Sequence, residues 1–109
     1  MTNILYEFDP CPIDITMERL SSNVRDRRLE KNISLKQLSL MSGVPVGTIQ
    51  RFEQKHAISL ESYVKIAKAL GYSEDIMHLL SEPKYKTMEE LIAINKNKNR
   101  KRGRHGKNN

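Results

Sequence analysis

The chain has a single cysteine, Cys11, and no apolar run approaching the roughly 18 residues that a membrane span needs. A lone cysteine excludes an internal disulfide and fits a reducing cytoplasm. Ile4-Leu5-Tyr6 is too short for the apolar region of a secretory leader, and acids follow it. The expectation is a cytoplasmic protein without membrane contact. No glycine-rich phosphate loop is present. His56, His78 and His105 lack the spacing of a metal site, and Cys11 lies between Pro10 and Pro12 with no evident base. The chain is therefore expected to be no enzyme and to carry no metal or cofactor. Acids are missing from one whole segment: residues 96–109 contain seven Lys or Arg and no Asp or Glu. Residues 1–95 hold the other twelve cations and all thirteen acids, so the net charge of +6 is mostly a property of the tail. The globular part needs its own case for any nucleic-acid partner.

What is present is concentrated in residues 34–53. Ser34 and Gln37 form an S-x-x-Q capping box, in which the serine accepts a backbone N–H and the glutamine reaches back. Leu35, Leu38 and Met41 recur at three-residue steps along one helix face. Gly43 then leaves the helix through a left-handed conformation, which costs glycine nothing sterically. Pro45 suits the first turn of a second helix, where its missing N–H has no partner to lose. Val46, Ile49, Phe52 and Glu53 have the spacing of a buried face on that helix. Two short helices joined through a glycine turn make a helix-turn-helix unit, whose second helix can enter the DNA major groove.

Around this unit the patterning gives a 109-residue chain with one small domain and tails. Residues 1–15 read as an N-terminal arm whose apolar Ile4-Leu5-Tyr6-Glu7-Phe8 needs cover, from its own domain or from another subunit. A first helix is predicted from Thr16, with Met17, Leu20 and Val24 inward, ending at Asn32. Ser59 caps a fourth helix bearing Leu60, Tyr63, Val64, Ala67 and Leu70, and Gly71 stops it. Ser73 caps a fifth, with Ile76, Leu79 and Leu80 for the core. The domain thus spans 16–82. Residues 83–95 hold a short amphipathic helix opened by the capping-box pattern Thr87-Met88-Glu89-Glu90, with Met88, Leu91, Ile92 and Asn95 on one side. Residues 96–109 read as a basic tail that stays disordered until it meets a polyanion.

The run Leu20…Val24-Arg25…Arg28…Asn32-Ile33-Ser34…Leu38-Ser39…Ser42-Gly43-Val44…Thr48-Ile49…Arg51-Phe52-Glu53…Ser59-Leu60-Glu61…Ile66-Ala67-Lys68-Ala69-Leu70-Gly71 resembles the lambda-repressor/Cro-type helix-turn-helix family, often called the XRE family. The resemblance covers residues 20–80. It implies an all-α, five-helix domain that binds double-stranded operator DNA as a two-fold homodimer. Carried across by position, it implies base reading by Val46, Gly47, Gln50 and Arg51. It places phosphate contacts at Lys36, Gln37, Thr48, Arg28 and Lys55, and a structural ion pair between Arg28 and Glu53. That pair reads either as a lock between helices or as a plain surface salt bridge. Departures from the family pattern thin the interface: Leu35 stands where a phosphate-binding glutamine is common, and Pro45 where Ser or Thr often caps the reading helix.

By chemistry, Arg51 suits guanine and Gln50 adenine, both through bidentate geometry, while Val46 can meet a thymine methyl. Gln50 reads equally as a solvated helix position. The tail cations Arg100, Lys101, Arg102 and Arg104 add phosphate contacts, bind an acidic protein, or remain solvated. The helix and basic end from Pro83 to Arg104 look like the ends of autoregulatory antitoxins of the HipB type, which implies a kinase-like toxin as partner. Two function classes follow: a DNA-binding repressor, including an antitoxin, or a protein-interaction adaptor that uses the helix-turn-helix as scaffold.

Overall fold

Pro12 opens the first helix rather than delaying it. In the computed structural model, which describes residues 11–108 with side chains through Arg100, α1 runs Ile13–Glu30 with Pro12 as its N-cap. Proline has no N–H to lose there, and the Thr16 amide closes the first turn on the Pro12 carbonyl at 3.0 Å. The helix therefore starts three residues before Thr16 and shortens the expected 1–15 arm. Residues 1–10 lie outside the described residues. Asn32 adopts the left-handed conformation that sequence assigned it, with φ +56°.

After α1 come α2 (Leu35–Ser42), α3 (Val46–Lys55), α4 (Leu60–Ala69), α5 (Ser73–His78) and α6 (Met88–Asn108). All the regular structure among the described residues is helical. The Ser34–Gln37 capping box is formed in both directions, with the Gln37 amide donating to Ser34 Oγ at 3.0 Å and the Ser34 amide to Gln37 Oε1 at 2.8 Å. Gly43 leaves α2 at φ +78°. Pro45 sits one position outside α3, as its N-cap. At the end of α4, Gly71 takes φ +96°, and Lys31 from beyond α1 donates its ammonium to the Leu70 carbonyl at 2.9 Å. A cation suits that negative helix terminus.

The chain divides into two compact units, one up to Ile76 and one from Met77. In the first, α2 packs on α3 and α4, and α3 packs on α1. Val24, Leu38, Val44, Ile49, Phe52, Ile66 and Leu70 form the buried core, with Met17, Leu20, Leu35 and Tyr63 against it. Several sequence assignments need correction. Met41 and Leu60 are exposed, because Val44 from the turn and Ile66 from the middle of α4 occupy the core positions instead. Leu79 and Leu80 are exposed because α5 ends at His78 and the chain turns there, with Leu80 at φ +61°.

The second unit holds α6. Thr87 Oγ1 accepts the Glu90 amide at 3.1 Å, and the Glu90 carboxylate accepts the Lys86 amide at 2.9 Å, so the start expected from the capping pattern is formed. The helix does not stop at Asn95: it runs on through the basic segment to Asn108. No proline follows Pro83, lysine and arginine are good helix formers, and acids at the start with cations at the end match the helix dipole.

Candidate nucleic-acid interface

The outward side of α3 is set by what its inward side buries. Ile49 and Phe52 are wholly enclosed, and Phe52 meets Tyr63 of α4 edge to face with ring centroids 5.9 Å apart. At about 100° per residue, positions 46, 47, 50, 51 and 54 then share one outward arc. Val46, Gly47, Gln50 and Arg51 are all exposed on that arc. An alanine methyl placed at Gly47 would meet nothing within 4 Å, so the space in front of this helix turn is open. No side chain caps the start of α3, which leaves its leading N–H groups for solvent or an anion.

The α3 end is held from α1. Arg28 Nε donates to Glu53 Oε2 and Nη2 to Glu53 Oε1, both at 2.9 Å, while Nη1 donates to the Ile33 carbonyl at 2.9 Å. The two side chains are 9% and 8% exposed. This is the interhelical lock, not a surface salt bridge. Three of the five guanidinium N–H groups of Arg28 are engaged in this way, one on each nitrogen, which leaves one N–H on each of Nη1 and Nη2 as the donors that a phosphate contact would use.

Sequence gave no role to Ser21 and His56, yet they form a second tie between α1 and α3. His56 closes α3 in the left-handed conformation at φ +63°, and its Nδ1 lies 2.6 Å from Ser21 Oγ. The Ser21 hydroxyl already donates to the Glu18 carbonyl at 2.8 Å, so its lone pair accepts from an Nδ1–H of His56. The clue in sequence was a serine on the same face as Val24 and Arg28; its partner, 35 residues away, had no signal.

Of the other phosphate assignments, Lys36, Gln37 and Lys55 are exposed and Thr48 is half-buried. The Gln37 side-chain oxygen is taken by the capping box, which leaves its NH2 as the donor a phosphate would need. Arg100 is exposed in the second unit. The side chains of Lys101, Arg102 and Arg104 lie outside the described residues. Among the described residues no group of His, Cys, Asp or Glu could hold a metal, and no helix is long and apolar enough to cross a membrane.

Beside the reading arc lies an open cleft of about 340 Å³, lined by Arg25, Arg28, Leu35, Gln50, Glu53 and Gln54. Sequence gave Arg25 and Gln54 no role of their own; Gln54 lies in the last turn of α3, which extends one residue beyond it.

Comparison with known families agrees with this geometry: a helix-turn-helix family model matches residues 24–77, from the middle of α1 into α5. No curated protein and no solved structure matches the chain.

Proposed function

Because the chain belongs, through residues 24–77, to the Cro/C1-type (XRE) helix-turn-helix family of DNA-binding regulators, we propose that it is a sequence-specific repressor that binds a palindromic operator as a homodimer. The observation that carries this reading is the reading arc of α3, where Val46, Gly47, Gln50 and Arg51 stand exposed over a helix clamped from behind by the Arg28–Glu53 pair. Phosphate contacts position such a domain and base contacts specify its site. Arg51 and Gln50 are the hydrogen-bonding readers, each able to discriminate by about 1–3 kcal/mol. Two readers per copy give modest specificity, and two copies on half-sites about one helical turn apart supply the rest. The protein acts in the cytoplasm on this reading.

The test is a binding titration with Arg51→Ala on the preferred duplex and on mixed sequence. The expected result is a loss on the preferred duplex alone, with folding intact. Equal losses on both would remove Arg51 as a base reader.

An antitoxin role, with a kinase-like toxin as partner, is the narrower form of this proposal; an overlapping kinase-like reading frame beside the gene would support it. The adaptor reading draws on one observation, the exposed apolar side chains of Met77, Leu79, Leu80 and Tyr85. A chain that bound a protein partner but no duplex would favour it.

A further inference from the structure

We propose that the cleft between α1, the start of α2 and α3 is a phosphodiester-binding site in which Arg25 supplies the charge and Gln54 a neutral donor. This rests on the DNA-binding reading above and adds a contact to it.

Charge accounting within the cleft comes first. Its lining holds two guanidinium groups and one carboxylate. Arg28 and Glu53 neutralise one another through two 2.9 Å bonds, one to each carboxylate oxygen. Arg25 stands one helical turn before Arg28 on α1, and its Nε is 4.0 Å from Glu53 Oε1, beyond hydrogen-bond distance. The side chain is 62% exposed. The cleft thus carries one surplus positive charge: Arg25 shares the Glu53 carboxylate with Arg28 as a long, exposed ion pair and makes no hydrogen bond to it.

The remaining walls have the chemistry of a phosphate seat. Gln50 and Gln54 lie one turn apart on α3, so both amides border the same opening. Leu35, the first residue of α2, is an apolar side of the cleft and donates nothing from its side chain. A phosphodiester carries a single negative charge and several acceptor oxygens; an arginine fork with a nearby amide satisfies both. The carboxylate of an acidic protein segment has similar charge. Because Gln50 belongs both to the cleft and to the reading arc, the anion nearest at hand when α3 docks is the DNA backbone. Arg25 thereby makes up for the donor that Leu35 cannot provide.

The experiment uses the full chain with a mixed-sequence duplex about two helical turns long, titrated over a range of salt. Arg25→Gln should weaken binding several-fold, alike on the mixed sequence and on any preferred one, and lower the salt slope by about one. Its thermal midpoint should match the wild type. Arg25→Lys keeps the charge and should keep the slope. An unchanged slope in Arg25→Gln, a loss confined to one sequence, or equal slope losses in the glutamine and lysine variants would overturn the assignment. Failure of the wild-type chain to bind any duplex would instead overturn the DNA-binding reading, and this site with it.

Discussion

Arg28 and Glu53 are the residues on which the position of α3 depends most. Arg28→Ala would leave the Glu53 carboxylate buried without its bidentate partner, a change that costs about 3–5 kcal/mol in buried pairs. Arg25, 4.0 Å away, partly compensates the stranded charge, so the expected loss is near 3 kcal/mol. Denaturant unfolding measures it directly. Ser21→Ala is expected to cost about 1–3 kcal/mol, since the part-buried His56 Nδ1–H loses its acceptor. Tyr63 gives a pH signature. Burial raises its phenol above the usual 10.0, because the phenolate is the disfavoured form in the folded state. The unfolded chain ionises this tyrosine first, so stability falls as pH rises past 10.0 and through the folded value. Tyr63→Phe should lose less stability over that range than the wild type, as followed by melting in parallel alkaline buffers.

At this scale, sequence was informative where a partner has a family position and silent where it has none. Arg28 and Glu53 were identified by resemblance, although their burial was left open. Ser21 with His56, and Arg25 with Gln54, were not recognised. A serine inside a helix and one of the four arginines of α1 look like ordinary solvated positions until the helices are packed.

Among the elements, α3 is the one with a built-in compromise. Gly47 lies within the first turn and lowers helix stability by roughly 0.5–1 kcal/mol relative to alanine. Nothing within 4 Å opposes a methyl group there. Gly47→Ala is therefore expected to raise stability by about that amount, read by thermal melting. If the glycine serves close approach to base edges, the same variant binds its preferred duplex more weakly. Capping was the most legible part of the elements, because short sequence patterns such as Ser34–Gln37 and Thr87–Glu90 satisfy their own backbone groups locally. Helix faces were less so. Met41, Leu60, Leu79 and Leu80 fit three- and four-residue spacing, yet tertiary packing gave the core positions to Val44 and Ile66. Periodicity marks which residues share a side of a helix; it does not say how far along the helix the neighbours reach.

For the whole molecule, charge and core are separated. The first unit contains the hydrophobic core and the reading helix and has balanced charge, while the second carries α6 and the whole net charge of +6. Deleting residues 96–109 removes seven cations and is expected to weaken binding on every sequence and flatten the salt dependence, by about 0.9 in slope for each phosphate no longer contacted. It should leave the unfolding of the first unit unchanged. Recognition and affinity would then be divided, with α3 choosing the sequence and the basic helix adding strength without choice. The extension of α6 beyond Asn95 was not legible, because a composition rich in Asn, Lys and Arg suggests an unstructured tail as readily as a charged helix.

The central claim is that α3 reads a DNA sequence, and that two copies do so together. The most direct measurement is to select duplexes bound by the full chain from a random-sequence pool and compare the enriched sequences. The expected result is an inverted repeat with half-site centres about one helical turn apart, whose enrichment disappears with Arg51→Ala. Binding that enriches no sequence, or a wild-type preference unchanged by Arg51→Ala, would contradict it.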